Sequence, residues 1–324
     1  MKFRISCLAV SLLIIGCVII SLSAGIIETS WSDLAAVLLG KDCGINGTVI
    51  RQIRLPRILS ALIAGGALGV AGVILQTVLH NDLASPEIIG VSSGAGLAGI
   101  LLIFFLPQYS NFLGAAAFAG ALLVSGMIYS ASWKKGLSPV RLILAGVAIT
   151  TLCGALSAGV LLFNAERIAG AFDFMLGGFA GRSLLEVLIM LPCFAIMLFF
   201  AFLQHKKLEI LSLDDESAAA LGINVNFCRL AALVTAALAA SVAVSLAGLL
   251  GFVGLMAPHT ARKFCSSNIG EQMLLSALFG SFLAALGEVL GKTVLPPREL
   301  PAGLFLSIAG AVFFMFLLLK ERTE

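Results

Sequence analysis

An all-α, polytopic membrane fold with about ten transmembrane helices is predicted by three features of the sequence. These are its apolar content, its shortage of charge, and apolar stretches of bilayer length that recur from end to end. Of the 324 residues, 60% are hydrophobic and 11% are charged, and the mean hydropathy is +1.10. A soluble domain keeps about a quarter of its residues charged so that a wet surface can form. The balance found here excludes a conventional water-soluble enzyme. A net charge of +3, with no run of Lys or Arg, also argues against nucleic acid as a partner. The solvent for most of this chain is membrane lipid.

Residues 5–27 form the first predicted span. The stretch follows Met1-Lys2-Phe3-Arg4 and has the look of a signal peptide, but its apolar core is longer than a signal peptide needs and no small-x-small cleavage site follows, so a retained helix anchor is expected. Further spans are predicted over 57–79, 90–106, 112–132, 139–163, 184–203 and 228–250, then a shorter one near 251–261, then 271–291 and 302–319. Together they make one transmembrane domain over residues 1–324.

Basic residues set the expected orientation, because Lys and Arg are retained on the cytoplasmic side. With the N-terminus inside, Lys2, Arg4, Lys134, Lys135, Arg141, Lys206, Lys207, Arg229, Arg262, Lys263, Lys320 and Arg322 all fall on the cytoplasmic side, which also places both termini there. Lys41, Arg51, Arg54 and Arg57 break this bias by crowding into the external loop between the first two spans. Either an acidic partner docks on that loop or the arginines meet lipid headgroups and helix ends.

Glycines concentrate inside the spans, as at Gly65, Gly66, Gly69 and Gly72. At spacings of three and four they share one helix face, which lets membrane helices approach closely. The seven cysteines, Cys7, Cys17, Cys43, Cys153, Cys193, Cys228 and Cys265, are scattered singly and read as small apolar fillers. His80, His205 and His259 lie near predicted cytoplasmic helix ends without a second ligand nearby, so no metal site or cofactor is expected. Gly291-Lys292-Thr293 echoes the end of a phosphate-binding loop, but that motif needs Gly where Leu286 stands. A proton-coupled carrier would show an acid deep within a span. The nearest candidate is Glu288, three residues from a predicted helix end, where snorkelling or capping is expected.

The longest polar interval of the second half, 204–226, reads as a cytoplasmic segment carrying a short helix over 212–222. Asp214, Asp215 and Glu216 suit its first turn, where carboxylates complement the positive end of the helix dipole, and Gly222 suits its stop.

Four ordered motifs then carry a family resemblance over nearly the whole chain. The first is Arg54-Leu55-Pro56-Arg57 with the Ala/Gly-rich stretch ending at Gln76. The second is Asn81-Asp82-Leu83-Ala84-Ser85-Pro86 with Gly90-Val91-Ser92-Ser93-Gly94-Ala95. The third is Gly251-Phe252-Val253-Gly254-Leu255-Met256-Ala257-Pro258-His259 with Arg262, and the fourth is Glu299-Leu300-Pro301-Ala302-Gly303. Together they resemble the FecCD-type permeases of ABC importers for ferric siderophores, haem and cobalamin. Asp82 departs from the family's usual Pro.

The resemblance implies a type II importer permease of the prokaryotic cytoplasmic membrane, working as a homodimer or with a paralogous permease. Separate ATP-binding subunits sit on the cytoplasmic side and an extracytoplasmic binding protein, periplasmic or lipid-anchored, sits on the outer side. The chain itself would have no ATPase site and no catalytic residues. Arg54, Arg57 and Lys292 match the positions that dock the binding protein, Lys292 standing where the family often has Arg. Asp214, Glu216, Ala220, Leu221 and Gly222 fall in the segment that couples to the ATPase, and Ser138, Pro139 and Val140 match the cytoplasmic gate, although Pro139 and Val140 replace small polar residues there. Ferric siderophore is the first cargo implied, with haem and cobalamin behind it. The alternative from another class is an ion-gradient-driven secondary carrier or channel that needs no ATPase.

Overall fold

The computed structural model describes residues 2–25, 29–38, 44–87, 90–133, 138–163, 168–265 and 268–321. Lys41, Cys43, Lys134, Lys135 and Arg322 lie outside the described residues. In chain order the helices are α1 (Lys2–Ser23), α2 (Trp31–Leu38), α3 (Gly44–Val49), α4 (Leu55–Leu79), α5 (Val91–Phe105), α6 (Leu113–Ser132), α7 (Pro139–Leu162), α8 (Ile168–Leu176), α9 (Leu184–Leu203), α10 (His205–Leu211), α11 (Asp215–Ala220), α12 (Val225–Ala247), α13 (Val253–Arg262), α14 (Ile269–Thr293) and α15 (Ala302–Glu321). A π-helical turn over Ile50–Arg54 joins α3 to α4, and a 3-10 turn over Pro107–Phe112 leads into α6.

Each of the ten predicted apolar stretches contains a helix. Among the described residues, seven helical runs are long and apolar enough to cross a bilayer, α5 and α15 are shorter apolar helices, and α13 is a ten-residue helix buried on most sides. Helix ends follow local chemistry. Ser183 and Glu186 form a reciprocal capping box at the start of α9, and Asn224 and Asn268 cap α12 and α14 by accepting from Phe227 N–H and Glu271 N–H. His80 closes α4 in the left-handed region, its N–H donating to Gln76 and Thr77 carbonyls. The sequence places the seventh span three residues late, since α12 starts at Asn224's cap and breaks at Gly248.

The centre of the bundle is α4, flanked by α12, α13 and α14. In the apolar stretch that includes α4, 89% is buried within the chain, against 17% for α1 and α7. The glycine face explains this position. A Cβ on Gly65 would overlap the Gly280 carbonyl of α14, one on Gly69 the Ser276 carbonyl, and one on Gly72 the Gly254 carbonyl of α13. Backbone-to-backbone approach of this kind supplies the dispersion energy that holds membrane helices together, since lipid provides no hydrophobic drive between them. Ile58, Ile74, Leu75 and Leu233 fill the remaining space and are fully enclosed. Leu8 and Leu12 of α1, Leu144 and Leu156 of α7, and Leu188 and Phe199 of α9 point outward, an arrangement stable in hydrocarbon and costly in water.

Packing this tight makes a definite expectation. Gly69→Ala forces α4 away from α14 and should cost about 1–3 kcal/mol, read as a lower melting temperature in detergent. Gly16→Ala on α1, where nothing lies within 4 Å of the added methyl, should leave the melting temperature unchanged.

Candidate functional site

The polar chemistry of the chain gathers at the two ends of α4. At the end that basic-residue counting assigns to the outside, the arginines expected on an exposed loop stand in a continuous helical run through α3, the π-helical turn and α4, and two of them are buried. Arg54, 4% exposed, donates from Nη1 to the carbonyls of Leu22 (2.6 Å) and Ser23 (2.9 Å) and to Thr29 Oγ1 (2.7 Å). It therefore satisfies the last-turn acceptors of α1 and meets the negative end of that helix dipole.

Arg57 donates from Nε to Glu288 Oε1 at 2.7 Å and from Nη1 to Glu299 Oε2 at 2.8 Å. Lys292, one turn beyond Glu288 on α14, places Nζ 2.8 Å from Glu288 Oε1 and 3.1 Å from Ser21 Oγ. Two cations and two anions thus balance in one cluster that ties α1, α4, α14 and the Glu299 segment together. Glu288 is 2% exposed, so the expectation that it snorkels or caps at a helix end is corrected. Taking an unpaired carboxylate out of water costs several kcal/mol, and this one is retained because a guanidinium and an ammonium share the same oxygen. The sequence could not show this, because Arg57 and Glu288 are remote along the chain and only the α4 to α14 contact brings them together.

Beside the cluster lies a cavity of about 840 Å3, lined by Arg57, Glu288, Glu299, Asp173, Arg182 and Phe112 among others. Its walls come from the Pro107–Phe112 turn, α8, the start of α9 and the segment leading to α15. Arg182 pairs with Glu186 at 3.5 Å.

At the opposite end, α10 and α11 cross between α9 and α12. Asp214 accepts from Ser217 N–H at 2.9 Å, which caps α11 and holds this carboxyl below the ordinary carboxylate range. Ala218 turns into the bundle and is enclosed, whereas Asp214, Glu216, Ala220, Leu221 and Gly222 are exposed. Gly222 has φ +84 and so ends the segment in the left-handed region that favours glycine. His80 Nε2 lies 3.0 Å from the Leu213 carbonyl, joining the end of α4 to the approach to α11. Arg262 of α13 pairs with Asp82 and hydrogen-bonds Gln76 Oε1. The departure from Pro at position 82 thus adds an ionic tie between the loop after α4 and the end of α13.

Ser138 flanks α7 in an extended conformation, Pro139 occupies the first helical position, and Val140 is exposed. Ser138 makes no side-chain cap, so Pro139 starts α7 by its fixed φ. Of the three residues predicted for docking, Arg57 and Lys292 share one ionic cluster while the buried Arg54 binds the end of α1 beside it; the five predicted for coupling form one exposed ridge, and the three predicted for gating stand at the start of α7. Missed at the level of sequence were Glu299 as an ion-pair partner, and the pair between Asp215 and Arg229. A carboxylate in a motif whose neighbours are otherwise apolar was the available signal for Glu299.

A bundle of bilayer-length apolar helices, centred on one glycine-faced helix with charged clusters at both ends, defines a polytopic membrane protein. The FecCD transport family model matches residues 12–320, and the chain belongs to that family. It is 34% identical to the Fe(3+)-citrate import system permease protein YfmE of Bacillus subtilis (strain 168), over 98% of this chain and 95% of that protein. It is 36% identical to the iron(3+)-hydroxamate import system permease protein FhuG of the same organism, over 96% of this chain and 95% of the relative. Among solved structures, a metal-chelate type ABC transporter in an inward-facing conformation superposes with a TM-score of 0.85 at 27% identity, covering 97% of this chain and 98% of the other.

Because Glu288 neutralises two buried cations, Glu288→Gln should destabilise the fold by about 3–5 kcal/mol, seen as reduced yield and a lower melting temperature. Glu288→Gln combined with Lys292→Met should recover part of that loss; no recovery would mean that the lysine draws its stability from elsewhere.

Proposed function

We propose that this chain is the membrane-spanning permease subunit of an ABC importer that carries a ferric chelate across the prokaryotic cytoplasmic membrane. The observation that carries this reading is α4 itself. In a chain of the FecCD family, one tightly held helix about 37 Å long joins an outer charged cluster to a capped, exposed helix at the other end. A separate cytoplasmic subunit binds and hydrolyses ATP, and this chain supplies the pathway. Both termini face the cytoplasm.

The ridge Asp214, Glu216, Ala220, Leu221 and Gly222 meets the ATP-binding subunits. What supports this is its exposure, its capping and its attachment to α4 through His80 and Leu213. An extracytoplasmic binding protein docks on the opposite rim. Arg54, Arg57 and Lys292 brace that rim from within, and the exposed Arg51 and Arg298 meet acidic side chains of the partner. A second permease subunit, identical or paralogous, covers the outward apolar faces of α7 and α15, where Leu152, Leu156, Ile308 and Val312 stand exposed. Ser138, Pro139 and Val140 form the cytoplasmic gate at the start of α7. ATP binding favours one of two arrangements of the assembled helices and hydrolysis releases it, so cargo meets alternating openings. Ferric citrate and ferric hydroxamate, the cargoes in the relatives' names, place iron bound to an oxygen-donor chelate first, with haem and cobalamin as the other cargoes to test.

The test is uptake of labelled ferric siderophore, haem and cobalamin into proteoliposomes holding this chain, its ATPase and its binding protein. ATP-dependent uptake of one cargo is expected. Uptake driven by a proton gradient without any ATPase would overturn the importer in favour of a secondary carrier. Leu221→Asp should abolish co-purification of the ATPase while leaving membrane insertion intact. Reversal of Arg51 and Arg298 to Glu should slow uptake about tenfold at limiting binding protein, and an unchanged rate would remove the docking assignment.

A further inference from the structure

Asp215 and Arg229 form an ion pair that none of the roles above requires. Asp215 stands in the first turn of α11 and Arg229 in the second turn of α12. Arg229 Nη2 lies 2.7 Å from Asp215 Oδ1, and Nη1 lies 3.3 Å from Oδ2. Both carboxylate oxygens therefore face the guanidinium fork. A fork fixes angle as well as distance, which a single ammonium contact does not.

The two side chains sit in opposite settings. Arg229 is 3% exposed and Asp215 is 57% exposed. An exposed ion pair joining two loops would contribute little, but here one member is anchored in the wall of the bundle while the other rides on the ridge assigned to the ATPase. The anchor is a stiff one, since α12 packs along α4 and continues to α6, where Tyr129 donates to the Leu233 carbonyl at 2.8 Å. On the other side of α11, His80 ties the Leu213 carbonyl to the end of α4. A push on α11 therefore arrives at α12 through a bidentate contact, and rotation of a lone side chain cannot absorb it.

We propose that Arg229 is a positioning residue of the transport cycle, locking α11 to α12 so that displacement of the ridge by the ATPase moves the α12 and α4 pair as one body. The inference rests on the importer reading and adds the part of the chain through which its motion passes. It predicts a defect of coupling, distinct from a defect of assembly. The energetic tie belongs to the pair, so either partner's loss should have the same consequence.

The experiment uses the full complex of permease, ATPase and binding protein in proteoliposomes, comparing Arg229→Lys, Asp215→Asn and the double variant. Three quantities are read: ATPase co-purified, ATP hydrolysed, and ferric siderophore imported per ATP. The expected result is normal assembly and hydrolysis with the imported cargo per ATP reduced roughly tenfold in each single variant. The double variant should be no worse than either single one, because both remove the same contact. A wild-type transport ratio in Arg229→Lys, or additive losses in the double variant, would overturn the proposal. Loss of ATPase from Asp215→Asn would also overturn it, by giving that carboxylate a direct docking role. If Arg229→Lys fails to fold, Asp215→Asn, altered only on the exposed side, decides by the same ratio. A wild-type chain that binds no ATPase would overturn the importer reading first, and the inference with it.

Discussion

Close approach of α4 to α13 and α14 is the constraint on which the rest of the structure depends. Gly65, Gly69 and Gly72 remove the side-chain layer that would hold these helices apart, and the facing carbonyls of Gly280, Ser276 and Gly254 occupy the space a methyl would need. Dispersion contacts are short-ranged, so a gap of under an ångström already forfeits a large part of them. The same approach sets the register of α4 against α14. That register puts Arg57 level with Glu288 at one end of the bundle.

The charged clusters are consequences of this packing. Arg57, Glu288 and Lys292 could not be buried singly, because the desolvation cost of each exceeds what an ordinary contact returns, and the exposed Glu299 completes the set from the edge. Held at 2.7 to 2.8 Å from one another, they neutralise in place. Arg54 does the same for the open carbonyls of α1, so basic residues that break the positive-inside bias are stabilised as structural members of this end of the bundle. At the other end the polar groups are arranged differently. Asp214, Glu216 and Leu221 face outward on a short capped helix, and the buried Arg229 holds that helix through Asp215. One end is closed upon itself, and the other leaves its polar side chains exposed.

Most of the fold was legible in the sequence. The ten apolar stretches and the helices they contain differ chiefly at their ends, because capping by Ser183, Asn224 and Asn268 depends on residues just outside the apolar runs. The connecting helices α2, α3, α8 and α10 were not legible, being too short or too mixed to give a period of their own. The site was legible by residue and not by arrangement. Arg54, Arg57 and Lys292 could be singled out as charges in the wrong place, yet nothing along the chain indicates that Lys292 would share a carboxylate oxygen with Arg57. Asp215 read as an ordinary first-turn acid and Arg229 as one more cytoplasmic charge, since their fourteen-residue separation falls across a helix end and a turn.

What the sequence determined by itself is the solvent of this chain, the number and order of its apolar helices, the glycine face of α4, the capped polar helix between α9 and α12, and the family motifs. All of these are properties of composition and local period, and lipid as the surrounding medium enforces them wherever the segments come to lie. Only the tertiary structure decided which charges are buried, which acid answers which base, and which residues stand exposed on α11. Those outcomes depend on distances between segments remote in sequence, and such distances are fixed only when the backbones of α4, α13 and α14 come into contact.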